Sequence, residues 1–221
     1  MKHWLKFSEL LSKRLSGELP GLDKQLLMAP HNRENAIRKG LHNSGAIKSS
    51  VLILIFPHEG LLKTVVMLRP SYNGVHSGQI SLPGGKWEIT DVDMAATALR
   101  ETQEEIGVEP SAIRLVGALS PLYIPPSNYI VFPFIGLADS KPNFLTDSVE
   151  VQELIEINLE DLIDKNNSTL RKVSLNDGTS FDVPCYAFGE VIIWGATAMI
   201  LSEFVELLQT IPLSGIFASK K

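Results

Sequence analysis

The stretch from Gly84 to Val108, GGKWEITDVDMAATALRETQEEIGV, restricts what this chain can become more than any other part of it. A glycine pair opens the stretch, an amphipathic run follows, and Gly107 closes it. On a helix advancing about 100° per residue, Glu101, Glu104 and Glu105 fall within roughly 100° of arc. Val92, Ala95, Ala96, Leu99 and Ile106 gather on the opposite side and predict the face turned to the core. Like charges at i, i+3 and i, i+4 each cost about 0.2–0.5 kcal/mol, and Arg100, within reach of Glu104, offsets only part of that. A helix built for solubility alone would alternate signs there. A hard divalent cation with oxygen ligands removes the repulsion, so the ridge reads as a metal platform. Asp91 fits as the N-cap of the helix and Asp93 as a first-turn acid favoured by the helix dipole.

With 221 residues the chain has room for one good-sized domain and an extension. Its net charge of −5 leaves no basic footprint for a nucleic-acid partner. The single Cys185 excludes an internal disulfide framework, fits a reducing compartment, and reads as a buried small residue. No segment approaches the ~18–20 apolar residues of a membrane span, so a cytoplasmic protein without membrane contact is the expectation. A homodimer stays open as an option.

Residues 3–16 and 22–40 predict a helical extension, broken at Gly17, Pro20 and Gly21, and 1–44 is set apart from a domain over 45–221. Ser49–Phe56 and Thr64–Arg69 are β-branched-rich runs that predict a hairpin. Pro70–Lys86 reads as loop with one extended piece, Gln79–Leu82, before a helix over 92–106. Strands are expected at Ile113–Leu119 and Tyr129–Leu137, with a Pro121–Pro126 loop between them, and an extended segment at Val149–Glu156. A short helix over Leu159–Asp164 and a second hairpin, Leu170–Val173 with Phe181–Phe188 around Asn176-Asp177-Gly178, come next. A last helix runs from Trp194 to Leu208. Interleaved helices with frequent hairpins predict an α/β (α+β type) fold whose mixed sheet is layered with helices.

The stretch around Arg100-Glu101-x-x-Glu104-Glu105-x-Gly107 resembles the Nudix box, G-x5-E-x7-R-E-U-x-E-E-x-G-U with U aliphatic. Gly85, Arg100, Glu101, Glu104, Glu105, Gly107 and Val108 match it. The gap from Gly85 to Arg100 is one residue longer than the pattern, the first acidic position is met only by Asp91, and Thr102 stands where an aliphatic residue is usual. The resemblance implies an α/β/α sandwich and metal-dependent cleavage of a nucleoside diphosphate derivative. Arg69, Gly78, Pro83, Gly84 and Gly85 also resemble the upstream signature of the coenzyme A pyrophosphatase branch. Pro70, Gly74 and Leu82 depart from that signature, and Gly74 replaces an arginine suited to clamping phosphate. His76 or Lys86 offers a substitute cation. Trp194-Gly195-Ala196-Thr197-Ala198 and Thr97–Glu101 are similar to the same branch.

Diphosphate hydrolysis needs charge stabilised on phosphate oxygens and a water activated for in-line attack, which Mg²⁺ or Mn²⁺ supplies. Glu101, Glu104 and Glu105 are the expected ligands, and Glu105 or Glu101 could instead orient the water. Arg100 joins Glu105 and Glu101 as a catalytic candidate, and Arg69, Gly84, Gly85 and Lys86 are expected at the substrate. The glycine pair serves either a tight turn with positive φ or close ligand approach, and both can hold. Glu150, beyond the box, is a second carboxylate candidate. Tyr123 and Tyr129 flank Pro125-Pro126-Ser127 and either stack on an adenine or pack. The resemblance implies coenzyme A or acyl-coenzyme A as substrate, giving adenosine 3′,5′-bisphosphate and 4′-phosphopantetheine or its acyl form. ADP-ribose, a dinucleotide or a nucleoside triphosphate is the alternative, and a non-catalytic nucleotide sensor ranks below both because all three glutamates remain.

Overall fold

A computed structural model describes residues 2–31, 33–70, 78–174, 178 and 180–212. The run VLILIF is apolar at every position, as a strand buried on both faces requires. It lies in β1 (Ile47–His58), and its side chains part by period two. Ile53 and Ile55 enter one apolar core, while Leu52, Leu54 and Phe56 enter the other. In β2 (Leu61–Leu68), Leu62 and Val66 take the first core and Val65 and Met67 the second. Two cores on two faces make the expected sandwich.

Along one edge β1 pairs in parallel with β7 (Tyr129–Leu137), from Ile47↔Tyr129 to Ile55↔Leu137. Its other edge is divided. Ile55–His58 pair antiparallel with β2, whereas Ser49–Val51 pair with β4 (Gly84–Lys86). Between them the connecting ribbon crosses over. β3 (Ile80–Ser81) bonds Met67 and Leu68 of β2, then Leu52 N–H donates to Pro83 O at 2.9 Å as the chain passes to β1. The extended piece expected at Gln79–Leu82 holds β3, whereas β4 falls where loop was expected, and together they bridge a fork in the sheet. β5 (Arg114–Ala118) and β6 (Leu122–Ile124) both pair with β7, and β8 (Glu153–Asn158) pairs with β2. β6 occupies the span read as a Pro121–Pro126 loop, because β7 offers it bonding partners from Tyr129 to Val131.

The short α1 (Lys2–Leu15), α2 (Leu22–Gln25) and α3 (Glu34–Gly40) do not stand off the sheet. Phe7, Leu11, Met28 and Ile37 lie in the same core as Phe204 and Leu207. α4 (Met94–Ile106) covers the opposite face, while α5 (Leu159–Ile163) supplies Leu159 and Leu162 to the α1 side. A second sheet of three strands follows: β9 (Ser168–Ser174), β10 (Ser180–Phe188) and β11 (Val191–Trp194). The sequence reading lacks β11. The hairpin turn expected at Asn176 and Asp177 lies outside the described residues.

α6 (Gly195–Gln209) carries a glutamate on its buried face. Glu203 is fully buried and accepts hydrogen bonds from Gly21 N–H (3.0 Å), Gln25 Nε2 (2.7 Å) and Ser120 Oγ (2.8 Å), with Ser120 N–H at 3.1 Å. One carboxylate thus fastens the residue preceding α2, α2 itself and the β5–β6 connection to α6. Glu203→Ala strands these buried donors and is expected to cost about 2–4 kcal/mol, read as a lower midpoint in urea unfolding.

Candidate active site

Helix α4 begins later than expected, and its rotation is only partly the expected one: Ile106 is buried and Leu99 packs on the core, while Ala95 and Ala96 are half-buried. Asp93, not Asp91, is the N-cap, its side chain accepting from Ala96 N–H at 2.8 Å. Asp91 is buried instead. It accepts from Arg100 Nε and Nη2 at 2.9 and 3.0 Å, from Thr97 Oγ1 at 2.9 Å and from Glu88 N–H at 3.0 Å. The Arg100 guanidinium holds its carboxyl well below the usual carboxylate range, and its own pKa rises in return. The buried face of α4 is Thr97, Ala98, Thr102, Glu105 and Ile106, while Val92 is 91 % exposed. Small and hydroxylated side chains let the helix lie close to β1 and β4, which turns one edge of the acidic ridge inward. Thr102, a departure from the aliphatic pattern, fits because its hydroxyl donates to Ala98 O at 2.6 Å.

Inside that contact, Glu105 is 1 % exposed. Its Oε2 accepts from Gly84 N–H at 2.7 Å, and its Oε1 faces Arg69 Nη1 at 3.5 Å without accepting a hydrogen bond from any described residue. Burial pushes its carboxyl up to about 8, against the pull of Gly84 N–H and Arg69. Glu101 is raised too, chiefly by burial, and Glu150 adds repulsion to both acids. Glu150 sits in a segment bonded to the end of α4 through Asp147 N–H to Glu105 O (3.0 Å) and Glu150 N–H to Asp147 O (3.2 Å). Glu104 points away and is held by Arg100 Nη1 at 2.8 Å. Arg100 also bonds Glu101 Oε1 and Lys86 O, each at 3.0 Å. It is the tie between α4 and β4.

The two glycines do different things, and neither stands in a tight turn. Gly84, φ 148°, lies where an added Cβ would meet Ser50 O at 2.2 Å and Val51 Cα at 2.6 Å. Gly85 leaves room for the Glu101 carboxylate, whose atoms would lie 2.5 Å from a Cβ. Close approach is the reason for both.

The chemistry of the donor set fits a hard cation in part. A buried carboxylate oxygen that accepts no hydrogen bond from any described residue, beside a second carboxylate and repelled by a third, has Arg69 at 3.5 Å as its positive counterpart and room in its electrostatics for a further cation. Among the described residues, however, no three acidic, His or Cys side chains converge on one point. Glu101 and Glu105 flank the glycine strand, Glu104 is turned to Arg100, and Glu150 lies on the neighbouring segment.

Gly84, Gly85, Arg69 and Lys86 line a cleft of about 1030 Å³, the size of the largest small-molecule sites. Tyr123 and Tyr129 also line it, but the Tyr123 ring is packed on Gly40 and its hydroxyl donates to Asn128 at 2.8 Å, so packing claims that residue. Gly74 and His76 lie outside the described residues. Sequence reasoning missed Arg33, Lys172 and Phe181 in the cleft, because only the fold brings them to it.

Two outcomes follow for stability and rate. Gly84→Ala meets β1 backbone at a positive φ and is expected to cost about 2 kcal/mol or more in unfolding measurements. Gly85→Ala meets only the movable end of Glu101, so the fold should survive while diphosphate hydrolysis falls about 10²-fold. For pH, the folded pKa of Glu105, about 8, exceeds its ordinary value of 4.5, so neutral Glu105 favours the fold at low pH. That contribution is lost as pH rises through about 8. In chelator, wild type should lose stability relative to Glu105→Gln between about pH 5 and about pH 8, measured by urea unfolding.

The NUDIX domain model matches residues 47–176. Mitochondrial coenzyme A diphosphatase NUDT8 of Homo sapiens is 31% identical over 162 residues, covering 72% of this chain and 69% of that protein. Nudix hydrolase 15, mitochondrial, of Arabidopsis thaliana is 34% identical over 160 residues; they cover 70% of this chain but only 56% of that protein. The crystal structure of a MutT/nudix family protein from Enterococcus faecalis shares the fold at TM-score 0.50 and 16% identity, over 76% of this chain and 64% of that one. Members of this family generally need a divalent cation. With a matched domain that runs from the start of β1 through the whole of α4, the chain belongs to the Nudix hydrolases, coenzyme A pyrophosphatase-like in its relatives.

Proposed function

We propose that this Nudix hydrolase cleaves the diphosphate of coenzyme A or acyl-coenzyme A, releasing adenosine 3′,5′-bisphosphate and the matching 4′-phosphopantetheine. The observation that carries the reading is the buried Oε1 of Glu105, which accepts no hydrogen bond from any described residue, behind a glycine strand that lines a cleft of about 1030 Å³. Glu101 and Glu105 would hold Mg²⁺ or Mn²⁺, with Glu150 on the neighbouring segment and Glu104 turned to Arg100. The bound cation would neutralise phosphate charge and sharpen the acidity of water.

The chain's own groups supply the rest. Gly84 N–H fixes one oxygen of Glu105, so the other keeps its direction. Arg69 faces Glu105 and lines the cleft, where its guanidinium meets phosphate oxygens. Lys86 adds an exposed ammonium to the same cleft. Arg100, fully engaged with Asp91, Glu101, Glu104 and Lys86 O, acts by positioning the acids and not by touching substrate. The naming of the human and mouse relatives as coenzyme A diphosphatases supports the substrate, as does the match at Arg69, Gly78, Pro83, Gly84 and Gly85. Gly74, in place of the branch's second arginine, favours the second reading, another nucleoside diphosphate derivative such as ADP-ribose. The cytoplasm is the proposed compartment; the mitochondrial designation belongs to the relatives that bear it.

Incubation with Mg²⁺ and, separately, coenzyme A, ADP-ribose and NADH tests the reading. Coenzyme A should be turned over fastest, and chelation should stop the reaction. Glu105→Gln should lower kcat by about 10²–10⁴-fold. An undiminished rate in that variant would remove Glu105 from the chemistry, and turnover of ADP-ribose alone would replace the substrate.

A further inference from the structure

Two arginines reach the acids of α4, and they are held differently. Arg100 is locked: its hydrogen bonds to Asp91, Glu101, Glu104 and Lys86 O run from 2.8 to 3.0 Å. Arg69 is held loosely. Its Nη1 donates to Ser81 Oγ at 3.3 Å and faces Glu105 Oε1 at 3.5 Å, both longer than the roughly 2.7–2.9 Å of a tight charge-assisted contact. The backbone beneath it is fixed. Arg69 N–H donates to Gln79 O at 3.0 Å, and Leu68 O accepts from Gln152 N–H at 2.9 Å. Any change in what the guanidinium meets is therefore a change of side-chain rotamer alone.

The oxygen that Arg69 faces is the one the metal needs. Gly84 N–H takes Glu105 Oε2 at 2.7 Å, and Oε1 accepts no hydrogen bond from any described residue. Among the described residues, Arg69 is the only salt-bridge partner of Glu105. A guanidinium and a divalent cation directed at one buried oxygen repel each other, with little water to screen them. Glu105, 1 % exposed and tied through its other oxygen, is not free to turn between them. The two cations thus compete for Oε1. Arg69 has a second place to go, because it also lines the cleft with Gly84, Gly85 and Lys86, where phosphate oxygens would meet it.

We propose that Arg69 is a positioning residue displaced by the metal: it is the counter-ion of Glu105 until a divalent cation takes Oε1, and its released guanidinium then turns to the diphosphate in the cleft. This rests on the diphosphatase reading and deepens it by setting an order of assembly, metal before substrate. The phosphate clamp becomes available only once the metal site is filled, so each ligand raises the affinity of the other.

The first test measures Mn²⁺ binding to the full chain without substrate, from the paramagnetic resonance signal of the free ion. Arg69→Gln should bind Mn²⁺ about 5–10-fold more tightly than wild type, because a repelling charge is gone. A dication is relieved of twice the repulsion that a proton is, so the gain holds even where Glu105 takes up a proton first. Arg69→Lys, which keeps the charge, should stay within about 2-fold of wild type. The second test measures calorimetric binding of ADP as a minimal diphosphate. In chelator, wild type and Arg69→Gln should bind ADP equally; in saturating Mg²⁺ the variant should bind it about 10-fold more weakly. Opposite shifts for metal and nucleotide support the proposal even if coenzyme A is not cleaved, and a poorly folded variant, which loses both affinities, does not mimic them. Arg69→Met repeats the measurements with an uncharged stem should Arg69→Gln fold poorly. Unchanged or weaker Mn²⁺ binding in a folded neutral variant overturns the proposal, as does an equal loss of ADP affinity with and without metal.

Discussion

Everything at the active site depends on the divided edge of β1. A strand of twelve residues pairs with β7 along most of one side, but on the other side β4 takes Ser49–Val51 and β2 takes Ile55–His58. Between those partners the backbone satisfies its hydrogen bonds through the crossing ribbon, as in Leu52 N–H to Pro83 O. A continuous sheet would have sealed this place. The fork instead carries the glycine strand to the helix that bears the acids.

Burial then sets the chemistry. A carboxylate at a protein surface is stabilised by water; Glu105 has almost none and keeps only one strong donor, Gly84 N–H, with Arg69 more distant. Its affinity for a positive charge is correspondingly high. Arg100 answers a different need. By spanning Asp91, Glu101, Glu104 and Lys86 O, it relieves repulsion along α4 and locks the helix to β4. Asp91, which stands at the first acidic position of the box, is taken up by Arg100, Thr97 and the Glu88 backbone.

The N-terminal helices are bound to the rest of the fold by both apolar packing and Glu203. A buried carboxyl group of this kind is tolerated only when hydrogen-bond partners surround it. Gly21, Gln25 and Ser120 do so from three separate segments, which makes the clamp specific for one docking arrangement. That arrangement brings Arg33 and Ile37 to the cleft, opposite Lys86 and the glycine strand in the order of the chain but lining the same space.

Local pattern sufficed for β1, β2, β7, α4 and α6, because an unbroken apolar run and a helical period each have one low-energy burial. Gly84, Gly85, Arg100 and the glutamates stood out in the sequence by their spacing, but only the fold turns Glu104 to Arg100 while it buries Glu105. Even Glu203 left a trace: it falls between Ile200 and Phe204 on the apolar face of a helix, where an acid needs a reason. The rotation of α4 was not legible, because Thr97, Ala98 and Thr102 look neutral until β1 and β4 are pressed against them. Nor were β6 and β11, whose few residues become strands only when β7 and β10 supply hydrogen-bond partners. The meeting of Arg33, Lys172 and Phe181 in one cleft was decided by tertiary structure alone. Spacing along the chain constrains neighbours within a helix or strand, whereas residues more than a hundred positions apart are related only through the cores that pack between them.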